Sequence, residues 1–207
     1  MSPEMHAKIR TQIDSQARIV GSGWIEVITG SMFSGKTEEL IRRMRRAQIA
    51  KQSCLLVKPA LDTRYSTDHV VSHNQDRFPS ISLKRIQDLF EVVGKHQVVG
   101  IDEAQFFDQN LPEVCGRLAD EGIRVIVAGL DQDYRGRPFH PIPELMAIAE
   151  YVTKQLAICT QCGRPAHMNQ RLVDSEEQLL LGAMDAYEAR CRACYEWPPK
   201  STTGLLS

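Results

Sequence analysis

Apolar residues along this chain gather into short, nearly unbroken runs, separated by stretches in which they recur every three or four positions. Trp24-Ile25-Glu26-Val27-Ile28-Thr29, Ser53-Cys54-Leu55-Leu56-Val57-Lys58, Gln97-Val98-Val99-Gly100-Ile101-Asp102 and Ile123-Arg124-Val125-Ile126-Val127-Ala128-Gly129-Leu130 are each bounded by turn or charged residues. Strands buried on both faces of a parallel sheet read this way, without alternation. Leu40, Ile41, Met44 and Ala47 fall at helical spacing, as do the stretches from Ile86 to Val93 and from Leu111 to Asp120, and Pro143 to Glu150 can form another short helix. The alternation predicts a doubly wound, mainly parallel α/β domain. The first 22 residues show no clear period and run into Gly21-Ser22-Gly23, so they read as a flexible leader.

The turn between the first strand and the first helix carries chemistry. Gly30-Ser31-Met32-Phe33-Ser34-Gly35-Lys36-Thr37 fits the phosphate-loop pattern G-x-x-x-x-G-K-[ST] at every fixed position. Glycines at its ends let successive N–H groups turn toward phosphate oxygens, and the following helix aims its positive dipole end at the same point. Lys36 can reach the outer phosphates, and the Thr37 hydroxyl can ligate magnesium. The expected ligand is a nucleoside triphosphate, ATP with Mg2+.

A second signal stands at the end of the third strand, in Ile101-Asp102-Glu103-Ala104-Gln105. An acid at a strand end beside a phosphate loop can hold the magnesium water shell, and Asp102 is placed for that. Glu103, one residue farther, is left to take a proton from a nucleophile, either water or a substrate hydroxyl.

The cysteines form a third signal. Cys159-Thr160-Gln161-Cys162 and Cys191-Arg192-Ala193-Cys194 are two C-x-x-C pairs with 28 residues between them, a tetrathiolate zinc arrangement. Four sulfurs close the shell, so the zinc expected here is structural; redox dithiols are the competing reading. Cys54 and Cys115 read as small core residues. Residues 163–190 then form a long segment pinned at its base, a functional lid or simply part of the zinc unit.

Composition narrows the class. The 207 residues are 43% hydrophobic, enough for one well-cored domain with an appendage. Lys+Arg 25 against Asp+Glu 26 argues against a protein that coats nucleic acid, and the polar start and lack of a long apolar stretch point to a cytoplasmic protein with no membrane partner. Arg42, Arg43, Arg45 and Arg46 read as the solvated side of an amphipathic helix, or as a phosphate- or subunit-facing patch. The organisation expected is a leader over 1–22, an ATP-binding domain over 23–156, a zinc-bearing unit over 157–195 and a tail over 196–207.

The phosphate loop, Asp62-Thr63-Arg64-Tyr65, Asp102-Glu103-Ala104-Gln105-Phe106-Phe107, Leu130-Asp131, Arg137-Pro138-Phe139, the two C-x-x-C pairs and Tyr187-Glu188-Ala189-Arg190-Cys191 together resemble the thymidine kinases of the cytosolic, zinc-containing type, from about Trp24 to Tyr195. The resemblance implies a RecA-like phosphate-loop domain with a small zinc-binding lasso, and transfer of the ATP γ-phosphoryl group to the 5′-hydroxyl of thymidine. Glu103 would be the general base and Arg64 would stabilise the transferred group. Asp102 and Gln105 would join Gly30 to Thr37 at ATP and magnesium. Met32, Phe106, Leu130, Tyr134, Phe139, Asn169, Leu180, Gly182 and Tyr187 would line the nucleoside pocket. A wall against the thymine methyl is worth ~1–3 kcal/mol, so deoxyuridine would be accepted less well. A homotetramer inhibited by the end product dTTP is also implied. Two further classes remain open on residues alone: an ATPase acting on nucleic acid, with Glu103 activating water, and a non-catalytic zinc-ribbon interaction module.

Overall fold

The computed structural model describes residues 23–60, 69–71, 77–174 and 184–196. In chain order its elements are β1 (Trp24–Gly30), α1 (Lys36–Ile49), β2 (Cys54–Pro59), β3 (His69–Val71), β4 (Arg77–Pro79), β5 (Ile81–Leu83), α2 (Leu89–Val92), β6 (Val98–Ile101), α3 (Leu111–Asp120), β7 (Arg124–Gly129), α4 (Ile142–Ile148), β8 (Tyr151–Gln155), β9 (Ala157–Ile158), β10 (Pro165–Ala166), β11 (Met168–Arg171) and β12 (Tyr187–Arg190). Short 3-10 turns cover Ile86–Asp88, Ala104–Phe106 and Met184–Ala186.

Six strands form one sheet in the order β5-β2-β6-β7-β1-β8, with every neighbouring pair parallel. The unbroken apolar runs follow from its two covered faces. Ile28, Leu56, Val98, Ile126 and Ala128 pack with Leu40, Ile41, Met44 and Ala47 of α1. Their alternates Val27, Leu55, Val57, Val99, Ile101, Val125 and Val127 pack with Leu111, Val114 and Leu118 of α3 and Ile142 and Leu145 of α4. Side chains alternate along a strand, so a sheet between two helical layers needs apolar residues at every position. Gly100 lets α1 come close, since a Cβ there would lie 2.7 Å from Leu56 Cδ1 and 2.9 Å from Met44 Sδ.

Two sheet strands lack such a run. β5 is three residues long, and β8 carries exposed Tyr151 and Val152. Both sit at sheet edges, where one flank meets solvent and continuous apolarity is not required. The stretch from Ile86 to Val93 is a 3-10 turn followed by the single helical turn of α2. Cys115 lies in the core and Cys54 packs partly against it.

Arg43 departs from the solvated-face expectation. Its Nη1 donates to Glu26 Oε2 at 2.7 Å, its Nε to Glu39 Oε1 at 2.8 Å and its Nη2 to Thr153 Oγ1 at 3.0 Å, joining α1 to β1 and β8. Burial would raise the Glu26 carboxyl, but Arg124, Trp24 and Arg43 outweigh it and hold that group below its usual range. Arg42, by contrast, makes an exposed pair with Glu39.

Beyond β8 the chain turns to two small antiparallel pairs, β9 with β10 and β11 with β12. The expected leader, the tail beyond residue 196, Arg64, and Leu180 with Gly182 lie outside the described residues.

Candidate functional site

The site gathers at the carboxyl ends of β1, β6 and β7, where parallel α/β sheets place their ligands. At the end of β1, Gly30 has φ +142°, and a Cβ on it would fall 2.1 Å from the Gln155 carbonyl oxygen. Phe33 (φ 62°) and Gly35 (φ 84°) also take positive φ, and such alternation of hand turns neighbouring N–H groups toward one concavity. Ser34 Oγ is buried inside the loop without a protein partner, which suits a phosphate oxygen. Lys36 Nζ donates to Ser31 O at 2.7 Å, holding its charge over the loop. Burial lowers the Lys36 ammonium below its ordinary range, while Glu103, Asp102 and Asp131 oppose that shift.

Asp102 directly follows β6 and is buried. Thr37 Oγ1 donates to Asp102 Oδ2 at 3.2 Å, and the Glu103 N–H donates to Asp102 Oδ1 at 3.0 Å. A hydroxyl and a carboxylate so close are the hard oxygen donors that magnesium prefers. Burial, reinforced by the Glu103 charge, pushes the Asp102 carboxyl up to about 7. A divalent cation would reverse that shift by favouring the carboxylate.

Glu103 follows in the left-handed region, at φ 50° and ψ 39°. A non-glycine residue there carries roughly 1–3 kcal/mol of strain, and the surroundings hold it in place. Its carboxylate is exposed to the site, and Oε2 accepts from Gln105 Nε2 at 2.6 Å. Gln105 is buried, and its Oε1 accepts the Leu130 N–H at 3.0 Å. Gln105 is therefore engaged by the acid and by the end of β7, a link invisible in the motif.

The apolar side of the site contains Met32, Tyr134, Ala186 and Tyr187 in one cluster, with Leu130 and Phe139 also buried and Phe106 half-buried. Arg171 sits behind them. Its guanidinium carbon lies 3.5 Å from the Tyr134 ring centroid and 5.2 Å from that of Tyr187, and its Nη2 donates to the Tyr187 hydroxyl. Tyr195 donates to Tyr134 O at 2.6 Å, so the chain after the last cysteine also supports the pocket. A buried arginine between two tyrosines gives no one-dimensional signal, because its partners lie 16 and more residues away. Asn169, on β11, is buried, with Oδ1 accepting the Met32 N–H at 2.7 Å and Nδ2 donating to Gln132 O at 2.9 Å.

The four cysteines Cys159, Cys162, Cys191 and Cys194 come together, their sulfurs all within 4.8 Å of one another, with Cys162 Sγ and Cys191 Sγ 3.6 Å apart. Tetrahedral zinc with Zn–S near 2.3 Å needs edges of about 3.8 Å, so these residues can hold a metal ion. Arg164 Nε donates to Cys162 Sγ at 3.4 Å and draws that thiol down to about 6, toward the thiolate a metal needs. No helix among the described residues is long and apolar enough to cross a membrane.

The family model for thymidine kinase matches residues 23–195. A thymidine kinase from Rhodothermus sp. (strain ITI 518) is 57% identical over 184 residues, a match covering 88% of this chain and 86% of that relative.

Proposed function

Starting from the fact that the chain belongs to the thymidine kinase family, we propose that Glu103 is its general base and that the pocket of Met32, Phe106, Leu130, Tyr134, Phe139 and Tyr187 holds the nucleoside. The protein is a kinase that phosphorylates thymidine, and the nucleic-acid ATPase and the non-catalytic module are not favoured. Glu103 accepts the 5′-hydroxyl proton as the oxygen attacks the γ-phosphorus of ATP, and ADP leaves. Phosphoryl transfer needs little covalent help from a protein, so placement and charge do most of the work. Backbone N–H groups from Phe33 to Thr37 orient the phosphates and Lys36 offsets their charge. Thr37 and Asp102 would hold magnesium, which when bound neutralises charge on the β- and γ-phosphates. Arg64 is proposed to meet the transferred group.

The observation that carries this reading is the Glu103 carboxylate, held by Gln105 in a strained backbone beside the Thr37–Asp102 pair. Cys159, Cys162, Cys191 and Cys194 would hold zinc, which would be structural and cross-link the ends of β9 and β12. Leu180 and Gly182 would complete the pocket, and deoxyuridine would be a weaker substrate than thymidine. The same reading includes a cytoplasmic homotetramer, 157–195 as the zinc unit, and inhibition by dTTP. The edge strand β8, with Tyr151 and Val152 uncovered, and Leu156 and Ile158 exposed just beyond it, supports assembly, since such edges are normally covered.

The test is a transfer assay with ATP, magnesium and each nucleoside, on the parent and on Glu103→Gln. Thymidine should be phosphorylated, and the substitution should lower kcat by about 10²–10⁴. An unchanged rate in Glu103→Gln sinks the assignment of the base.

A further inference from the structure

The phosphate loop is bonded to the carboxyl-terminal strand pairs at two successive residues. Ser31 Oγ donates to Ala166 O of β10 at 3.4 Å, and the Met32 N–H donates to Asn169 Oδ1 of β11 at 2.7 Å. Asn169 also reaches the loop after β7, through Nδ2 to Gln132 O at 2.9 Å. These two partners settle which end of the amide is which, because an N–H needs the oxygen and a carbonyl needs the nitrogen. Both ends of the amide are thereby engaged, and Asn169 is only 3% exposed.

The consequence lies in the loop. A phosphate loop binds anions by the direction of its N–H groups, and the Met32 N–H is turned away from that role toward Asn169. This bond sits just before Phe33, whose positive φ starts the inward turn of the N–H groups that follow. Anchoring Met32 therefore sets the orientation of the cradle at its first bend. The same strand bears Arg171, which holds Tyr187 and Tyr134 against Met32. One strand thus touches the donor side through Asn169 and the acceptor side through Arg171.

We propose that Asn169 is a positioning residue for the phosphate loop rather than a contact to the base, and that through β11 it couples occupancy of the ATP site to occupancy of the nucleoside site. The proposal rests on the phosphate loop being the ATP site. Removing the amide leaves the half-buried Met32 N–H and Gln132 carbonyl without their partner and lets the cradle reorient.

The measurement is the affinity of the zinc-loaded full chain for a non-hydrolysable ATP analogue with magnesium, by titration calorimetry, with and without thymidine. Asn169→Ala should weaken the analogue about tenfold in the absence of thymidine, the scale of one hydrogen bond left unmade. It should also shrink the factor by which thymidine alters analogue affinity, because coupling is reciprocal between sites. Tyr187→Phe, which removes only a hydroxyl bonded to Arg171 and leaves the Asn169–Met32 bond in place, should raise the thymidine KM and leave analogue affinity as it was. Asn169→Ser, too short to span both partners, should follow Asn169→Ala and carries the test if the alanine variant does not fold. If both Asn169 variants bind the analogue like the parent and change only the thymidine KM, Asn169 is a base contact and the proposal is overturned. A parent that binds the analogue but does not phosphorylate thymidine would instead count against the functional reading, leaving the Asn169 comparison intact.

Discussion

Gln105 bridges Glu103 and the residue that follows β7: Nε2 donates to the Glu103 carboxylate at 2.6 Å, and Oε1 accepts the N–H of Leu130. That bond fixes where the carboxylate points, and a general base must be aimed at the proton it takes. Gln105→Ala should therefore lower kcat by about tenfold. The loss should come with little change in either KM. A raised thymidine KM at unchanged kcat would mean that Gln105 supports packing only.

Gly30→Ala tests the geometry of the loop. The new Cβ would meet the Gln155 carbonyl oxygen of β8 at 2.1 Å, and backbone on both sides cannot yield cheaply. The substitution should abolish ATP-analogue binding and lower the unfolding temperature, and near-parental binding in calorimetry would contradict the close approach of β1 and β8.

Asp102 links pH to stability in the metal-free protein. Its carboxyl is ordinarily near 3.8 and is pushed up to about 7 in the fold by burial and by Glu103. Between those values the folded state binds more protons than the unfolded one, so this group's contribution to stability falls as pH rises through that window. Asp102→Asn should raise the metal-free unfolding temperature at pH 8 by about 5 °C, have little effect at pH 3, and eliminate magnesium-dependent activity. Equal unfolding temperatures at pH 8 would show that the carboxyl titrates normally.

Removing the metal proposed at the four cysteines should act beyond its own neighbourhood. Cys159 and Cys191 border the strands that pair with Ala166 and Asn169, and those residues hold Ser31 and Met32. Loss of metal should raise the KM for both ATP and thymidine, measured by initial rates, and zinc added back should restore both. An effect on thymidine alone would indicate that the loop keeps its shape without this support.

Arg171 can be tested against a purely structural role. Arg171→Lys keeps the charge but loses the planar stack on Tyr134 and the geometry at the Tyr187 hydroxyl. The thymidine KM should rise about tenfold with kcat nearly unchanged. A fall in kcat at unchanged KM would remove Arg171 from the pocket's support.

Much was determined by order along the chain alone. The phosphate loop needs only eight consecutive residues, because its ligands are mostly its own N–H groups, and it lies between β1 and α1 as the periodicity predicts. Central strands announce themselves because two covered faces demand apolar residues throughout. The C-x-x-C pairs are legible because each tight turn supplies two sulfurs, and the four do meet. Tertiary structure decided what depends on distant partners. The edge strands β5 and β8 carry no continuous apolar run, Arg43 turned inward to Glu26, and Arg171 lies behind Tyr134 and Tyr187. Asn169 is bonded to Met32 from 137 positions away. A local motif is written where its atoms are close in the chain, whereas a buried amide's partners exist only once the sheet has brought the loop and β11 together.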